Sequence, residues 1–333
     1  MILVTGGTGL VGSHLLYHLL LQNDEVKAIH MASSDLNAVR EIFGYYTAKA
    51  ESLFNKIQWV EASLNDIPAL EKAFTEITQV YHCAALVSFA SSDHQKMRRV
   101  NIEGTTNIVN LCISNNIEKL CFVSSVAAIE NGQIGELMDE EDNWNIARDK
   151  SDYALTKYGA EMEVWRASQE GIDVIIVNPG VILGPGFWHK GSGKMFSHVN
   201  RGLSFYTEGI TGFVGVQDVV LAMIELMASD ISNQRFILVS ENLSFKRVLW
   251  MIADLMHKKK PNIKVNRFMS ELIWRFEYFR SKLFSSPPLL TKYTARSSVS
   301  NHPYTAEKIK NVLNFEFEGI SSCIQKTVTH FRE

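Results

Sequence analysis

From residue 2 to about residue 178, short apolar runs alternate with longer stretches whose apolar residues return every three or four positions. Ile2-Leu3-Val4 has the first character, and Leu10, Val11, Leu15, Leu16, Leu19 and Leu20 have the second. Further runs predict strands over Glu25–His30, Lys56–Val60, Gln79–His82, Glu118–Val123 and Asp173–Val177. The helical period predicts helices over Ile67–Phe74, Asp93–Asn115 and Ser151–Gln169. Strands and helices alternating at these lengths predict an α/β fold, a doubly wound parallel sheet with ligands beyond the carboxyl ends of its strands. Beyond Asn178 the texture changes. Gly180–Gly212 is rich in glycine and aromatics and is expected to cover a substrate rather than to form sheet. Val219–Ala228 reads as a helix and Arg235–Val239 as a strand returning to the sheet. Helices near Phe245–Met256, Ser270–Leu283 and Thr305–Leu313 go to a smaller C-terminal lobe. The expected division is a sheet domain at 1–179, rejoined at about 213–240, and a substrate lobe mainly at 180–333. Glu271–Phe284 is aromatic and amphipathic, and is read as core packing or a lid in preference to membrane-surface contact.

Between the first strand and the first helix lies Thr5-Gly-Gly-Thr-Gly9, with Gly6, Gly9 and Gly12 at G-x-x-G-x-x-G spacing. Strand, glycine turn and helix in that order are the context in which such a pattern predicts a dinucleotide site. Gly6 lets the chain turn tightly out of the strand, and Gly9 lets backbone N–H groups approach a pyrophosphate. Gly12 lets the helix pack close to the sheet, and the helix N-terminus adds partial positive charge. In such sites the end of the second strand meets the adenosine ribose, where a carboxylate suits NAD and a cation suits NADP. His30-Met31-Ala32-Ser33-Ser34 offers neither, so the expectation leans to NADP, with Asp35 keeping NAD open. After the fourth strand, Cys83-Ala84-Ala85 offers small residues against which a cofactor can lie.

The chain has 333 residues, enough for one large domain or two smaller ones. Its 46% hydrophobic and 21% charged content are those of a globular protein. A net charge of −3 without a lysine–arginine stripe excludes nucleic acid as an expected partner. Cys83, Cys112, Cys121 and Cys323 form no C-x-x-C pair, which fits a reducing compartment, and the cytoplasm is the expected location. No uninterrupted apolar run reaches the roughly 18–20 residues of a membrane span, and no membrane partner is expected.

Tyr153-Ala-Leu-Thr-Lys157 sets a tyrosine and a lysine one helical turn apart on one face. A phenol with a pKa near 10 is a poor proton shuttle at neutral pH, and a neighbouring ammonium brings that pKa down. The pair can then act as general acid or base. Alone this spacing is commonplace; beside a glycine turn and a strand ending in Ser124-Ser125 it becomes specific.

These residues together resemble the short-chain dehydrogenase/reductase superfamily in its extended form. The resemblance rests on Thr5-Gly-Gly-Thr-Gly-Leu-Val-Gly12, His82-Cys-Ala-Ala85, Asn101-x-x-Gly-Thr105, Ser124-Ser125 and Tyr153-x-x-x-Lys157. Asn178-Pro-Gly-Val-Ile-Leu-Gly-Pro185 and Phe213-Val-x-Val-x-Asp218 continue it, so it covers about residues 1–220. The Asn178-Pro179 form is nearest the dihydroflavonol reductase, cinnamoyl-CoA reductase and hydroxysteroid dehydrogenase branch, with the sugar-nucleotide epimerases as neighbours. The resemblance implies a Rossmann-type sheet, with Tyr153 as proton donor, Lys157 as its electrostatic helper and Ser125 holding the substrate oxygen. It implies cofactor contacts from Gly6, Thr8, Gly9, Leu10, Val11 and Gly12, from Tyr153 and Lys157, the latter at the ribose hydroxyls, and from Met31 and Ser63-Leu64 at the adenosine end. Cys83, Ala84 and Ala85 follow, and Pro179, Gly180, Val181 and Ile182 line the nicotinamide. Two positions depart from the pattern. Met31 stands where arginine or aspartate is usual, and Ser63 where an aspartate often meets adenine.

His14 and His18 have the spacing of helical metal ligands, but no third ligand can be placed and no metal site is expected. Asp139-Glu-Glu-Asp142 reads as a solvated acidic loop, and Asn101 as either a site residue or a tie between helix and strand. The leading expectation is an NAD(P)-dependent carbonyl reductase or alcohol dehydrogenase acting on a small molecule. A sugar-nucleotide epimerase or dehydratase is the alternative, and a non-catalytic NAD(P) sensor a third reading. A diphosphate substrate calls for cations. Past residue 180 only Lys190, Lys194 and Arg201 stand out, against Phe187, Trp188, Phe205 and Tyr206, which favours a less charged substrate. Met162, Trp165 and Tyr158 are expected to face a second subunit, so the chain is expected to form a homodimer.

Overall fold

The computed structural model describes residues 1–88, 90–129, 136–142, 144, 151–284 and 292–331. β1 (Ile2–Thr5) runs through the glycine turn into α1 (Leu10–Leu20) and β2 (Val26–His30). α2 (Leu36–Tyr46) and the short α3 (Ala50–Phe54) precede β3 (Ile57–Glu61), followed by α4 (Ile67–Phe74) and β4 (Gln79–His82). The single helix expected over Asp93–Asn115 changes pitch on the way. α5 (His94–Met97) passes into a π-helical stretch at Arg98–Glu103 and then into α6 (Gly104–Ser114). β5 (Lys119–Val123), α7 (Asp152–Gln169) and β6 (Asp173–Pro179) complete the alternating part.

Apolar strand residues face both ways. Leu3 and Val4, adjacent in β1, enter cores on opposite faces of the sheet. Helices α1, α2 and, further on, Val216–Ala228 cover one face; α4, α6 and α7 cover the other. A sheet buried on both sides reads as continuous apolar runs, which is why the period-2 signal is missing from β5 and β6. The expected α/β, doubly wound parallel sheet is present. The later part of the chain supplies β7 (Val181–Leu183), α8 (Gly193–Asn200), β8 (Phe205–Tyr206), β9 (Ile210–Gly215), α9 (Val216–Ala228) and β10 (Gln234–Leu238). The order is β10-β6-β5-β4-β1-β2-β3, every pair parallel. After β3 the chain returns past β1 to form β4, so a crevice opens between the carboxyl ends of β1 and β4.

Gly180–Gly212 departs from expectation. It contains β7 and the start of β9, which pair in parallel, and β11 (Glu241–Ser244) adds antiparallel to β9 as a second, three-stranded sheet. The glycines serve close approach here, not looseness. A Cβ on Gly180 would lie 2.3 Å from Gly212 O, and one on Gly212 would lie 2.5 Å from Val239 Cγ2. The lobe is completed by α10 (Phe245–Leu255), β12 (Ile263–Lys264), α11 (Arg267–Phe284), α12 (Lys292–Ser297), α13 (Glu307–Leu313) and α14 (Ile320–Thr329). Core packing does not describe all of α11: Phe268, Leu272 and Phe276 are exposed.

Candidate active site

Gly6 takes φ +68°, and its missing Cβ would lie 2.6 Å from the Ala84 backbone nitrogen. A Cβ on Gly12 would lie 2.2 Å from Gly6 O. These two glycines are therefore spent on packing the turn against its own helix and against the end of β4. Gly9 differs: a Cβ there meets only Gly6 O, at 3.4 Å, so its outer side is open. Helix bonding starts with Ser13 N donating to Gly9 O at 2.9 Å, which leaves the N–H groups of Leu10, Val11 and Gly12 without intrahelical acceptors. An open cradle and free N–H groups at a helix N-terminus fit a dinucleotide pyrophosphate.

The floor of the crevice is held by a chain of hydroxyls and one imidazole. Thr5 Oγ1 lies 2.6 Å from His82 Nδ1, and His82 Nε2 lies 3.0 Å from Thr105 Oγ1. Thr105 Oγ1 donates to Asn101 O at 2.6 Å, so His82 must donate through Nε2 and accept at Nδ1. Burial pushes the His82 pKa down to about 3, which keeps the ring neutral. Ala84 N donates to Thr5 Oγ1 at 3.2 Å and Cys83 N to Thr5 O at 3.2 Å. At the adenosine end, Thr8 Oγ1 donates to Ser34 Oγ at 3.3 Å, and Met31 is 57% exposed. Asp35 caps α2, accepting from Asn37 N at 2.9 Å. Ser63 and Leu64 follow β3, where Leu64 O accepts from Asn107 Nδ2 at 2.8 Å. Pro179 to Ile182 run from β6 into β7, and Gly180 N donates to Leu238 O at 3.1 Å.

Ser125, just past β5, and Tyr153, in the first turn of α7, lie close enough for the serine hydroxyl to favour the phenolate. Ser125 Oγ also accepts from Ala127 N at 3.2 Å. Lys157, one turn after Tyr153, is buried; its Nζ donates to Val123 O at 2.6 Å and lies 4.5 Å from the Phe122 ring centre. Burial pulls the Lys157 pKa down to about 8, against the opposing pull of Glu161 and Cys83. The Tyr153 pKa is raised by burial, with the Ser125 hydroxyl acting the other way. The expected lowering by the lysine ammonium is absent from this arrangement, in which that ammonium is bonded to a backbone carbonyl.

Behind these residues lies a group that motif reading missed. Glu161 is fully buried. Its Oε2 accepts from Ser124 Oγ at 2.7 Å and from Asn178 Nδ2 at 3.1 Å, and its Oε1 lies 3.3 Å from Arg235 Nη1. Asn178 Nδ2 also donates to Ser125 O at 3.0 Å, while Asn178 Oδ1 has no hydrogen-bond partner among the described residues. Arg235 goes on to donate from Nε to Glu140 O at 2.7 Å and from Nη2 to Asp142 O at 3.0 Å. Glu140 corrects the picture of a solvated acidic loop: it is 5% exposed, and its Oε1 accepts from Ile237 N of β10 at 2.8 Å. Burial raises its pKa. One signal for Glu161 was in the sequence, since Tyr153, Lys157 and Glu161 repeat at four-residue spacing and so share a face. Nothing local signals Arg235.

Other singled-out residues have structural partners. Asn101, in the π-helical stretch, accepts from Leu86 N at 2.7 Å and donates to Leu86 O and Thr156 Oγ1, each at 3.0 Å, so it ties three segments together. Both nitrogens of His14 are engaged, Nε2 with Pro185 O at 3.1 Å and Nδ1 with the Tyr46 hydroxyl. Burial lowers its pKa to about 4. Tyr158 stacks on Trp144 at 4.5 Å and Trp165 packs partly buried on the core, so of the expected subunit-facing trio only Met162 is left exposed.

Residues 2–237 match the model of the NAD dependent epimerase/dehydratase family. A putative dihydroflavonol 4-reductase from Synechocystis sp. is 28% identical over 338 residues, spanning 99% of this chain and 94% of that one. Sterol demethylase protein B of Methylococcus capsulatus is 24% identical over 304 residues, spanning 85% and 88%. In fold, the chain is similar to the structure of Thermus thermophilus UDP-glucose 4-epimerase in complex with NAD, with TM-score 0.75, 23% identity and coverage of 99% and 98%.

Two expectations follow from the geometry. Gly9→Val should fold but fail to bind NAD(H) or NADP(H), because its side chain fills the open cradle, whereas Gly12→Val should lose the fold. Thermal melting with fluorescence titration separates the two, and unchanged affinity in folded Gly9→Val would move the pyrophosphate elsewhere. Glu161→Ala should lower stability by about 3 kcal/mol in urea unfolding, since Arg235 and two buried donors lose their acceptor. A loss below about 1 kcal/mol would show that the carboxylate is not what holds this cluster.

Proposed function

The chain belongs to the NAD dependent epimerase/dehydratase family, within the extended short-chain dehydrogenase/reductases, and on that premise we propose that it reduces a carbonyl, or oxidises the matching alcohol, on a weakly charged small molecule. The observation that carries this reading is the meeting of Ser125 and Tyr153 at the end of β5, with Lys157 buried one turn behind the phenol. When bound, the nicotinamide supplies or accepts a hydride. Tyr153 gives the carbonyl oxygen its proton in reduction and takes it back in oxidation; a phenol whose pKa is raised stays protonated at neutral pH and suits the first direction. Ser125 holds the same oxygen, and Asn178 fixes Ser125 by its carbonyl. Lys157 supplies positive charge under the site, and Glu161 helps keep it protonated.

The lobe supports a weakly charged substrate. Lys246 and Lys264 pair with Glu208, Lys260 with Asp254 and Arg296 with Glu271. Those cations already have partners, and a sugar-nucleotide diphosphate would need cationic donors. A sugar-nucleotide epimerase or dehydratase is the second reading, favoured by the name of the family model. A cofactor sensor would not need Tyr153 and Lys157 together.

The family binds NAD, and the choice of phosphate form is a further proposal. Asp35, the first carboxylate after β2 in the chain, is engaged as the cap of α2, which supports NADP. We also place the protein in the cytoplasm. We take it to be a homodimer joined through the α7 face bearing Leu155 and Met162, which are seven residues apart and 44% and 39% exposed. Light scattering at micromolar concentration reads the dimer, and a monomer would remove it.

The reaction is tested by NAD(P)H oxidation against a panel of dihydroflavonols, aromatic ketones and ketosteroids. Tyr153→Phe should lower turnover about 100-fold or more and leave cofactor affinity nearly unchanged; near-normal turnover would remove the phenol from the reaction. Native turnover should fall as pH rises through about 8, where Lys157 loses its charge, and Lys157→Ala should lack that limb. If the purified protein instead retains NAD that does not exchange, and no carbonyl oxidises NAD(P)H, the epimerase reading replaces this one.

A further inference from the structure

Arg235 reaches three acceptors from β10. Its Nη1 donates to Glu161 Oε1 at 3.3 Å, its Nε to Glu140 O at 2.7 Å and its Nη2 to Asp142 O at 3.0 Å. The two carbonyls belong to the segment that runs between Ser125 and Tyr153, and the carboxylate belongs to the helix that carries Tyr153 and Lys157. On the carboxylate's other oxygen, Oε2 accepts from Ser124 Oγ at 2.7 Å and from Asn178 Nδ2 at 3.1 Å. The same amide holds Ser125 O at 3.0 Å. Glu161 therefore has Arg235 on one oxygen and the strand end bearing Ser125 on the other.

A glutamine could accept the same bonds from Ser124 and Asn178, so those contacts alone do not call for a charge. Lys157 does. It lies one turn before Glu161 on the same face of α7, is 2% exposed, and donates from Nζ to Val123 O. Burial favours its neutral amine, and Glu161 exerts the largest pull the other way, ahead of Cys83. Cys83, from β4, has its thiol pushed by burial up to about 12, so it has no charge to offer at neutral pH. His82 is held neutral, and Tyr153, on the same helix, is kept a phenol by burial. Around the guanidinium, the Glu140 carboxylate is engaged by Ile237 N, and Lys308 Nζ donates to Arg235 O at 3.1 Å. The buried charges thus alternate in sign from Lys157 to Glu161 to Arg235.

We propose that Glu161 and Arg235 are positioning residues for the reaction proposed above: the carboxylate is the counter-charge that holds the Lys157 ammonium behind Tyr153, and the guanidinium locks that carboxylate to the segment leading into α7. The use made of the ammonium rests on that reaction; the arrangement of charges does not.

The test titrates Lys157 directly. In the full chain labelled with carbon-13 at lysine Cε, NMR reads the pH at which each ammonium loses its proton, and Lys157→Ala identifies the resonance. The native midpoint should lie at about 8. Glu161→Gln should lower it by about one pH unit or more, because the ammonium stays buried and loses its opposite charge. Glu161→Gln/Arg235→Met should bring it part of the way back, because the guanidinium no longer repels a lysine that has lost its carboxylate. A carboxylate that only ties strands together would cost stability and leave the midpoint unmoved, and that result overturns the proposal. Circular dichroism and thermal melting report folding. Should Glu161→Gln not fold, Glu161→Asp, which draws the carboxylate back by one methylene, should give a smaller downward shift, and no shift there overturns the proposal as well. With a carbonyl substrate in hand, the alkaline fall in kcat should follow the midpoint in each variant; a fall that stays in place while the midpoint moves also overturns it. Midpoints that shift as stated in a protein that reduces no carbonyl would support the role of Glu161 and count against the reaction instead.

Discussion

The approach of the glycine turn to the end of β4 is the constraint on which the rest of this molecule depends. At the crevice between β1 and β4 the backbone of Gly6 passes so close to Ala84 that no side chain fits. Thr5, His82 and Thr105 are bonded in series beneath it. The contact closes the crevice floor, aims the N-terminus of α1 into it and sets the distance between the two halves of the sheet. A cofactor site here follows from packing the chain has to achieve in order to fold.

The second centre is electrostatic. A buried lysine beside a buried carboxylate is expensive to desolvate, and Ser124, Asn178 and Arg235 each turn a donor toward the Glu161 carboxylate. Ser124, Asn178 and Arg235 come from three different strands or strand ends. The same carboxylate offsets part of the burial cost of Lys157. Ser125 is held by its neighbours rather than by a contact of its own with Glu161. Strands β5, β6 and β10 are thereby registered to one another and to the helix that bears Tyr153.

What could be read from the chain follows the range of the interactions. The β1–turn–α1 unit and the Tyr153–Lys157 pair are local, and their periodicities placed them within a residue or two. Glu161 and Arg235 are separated by 74 residues, and no pattern in either segment announces the other. Glu140 sits in an acidic run that looks solvated, yet it is drawn inside by one backbone N–H of β10. Gly180 and Gly212 misled for a different reason: glycine is uncommon in strands, but here two strands and Val239 crowd together where only glycine fits. The exposed stripe of α11 was legible as amphipathic and illegible in direction, because its inward face is chosen by Arg296 and Ala295, far along the sequence.

The place of Arg235 also bears on how the protein comes into being on the ribosome. β1 to β6 and α7 are synthesised first, and a nascent chain of that length already contains Ser125, Tyr153, Lys157 and Glu161. It lacks the guanidinium that pairs with Glu161 and the strand whose N–H receives Glu140. Until β10 clears the exit tunnel, the carboxylate has Lys157 beside it but lacks the guanidinium of Arg235, and the edge of the sheet beside β6 stands open. The site is therefore finished late, by an arginine that arrives after every residue assigned to the chemistry.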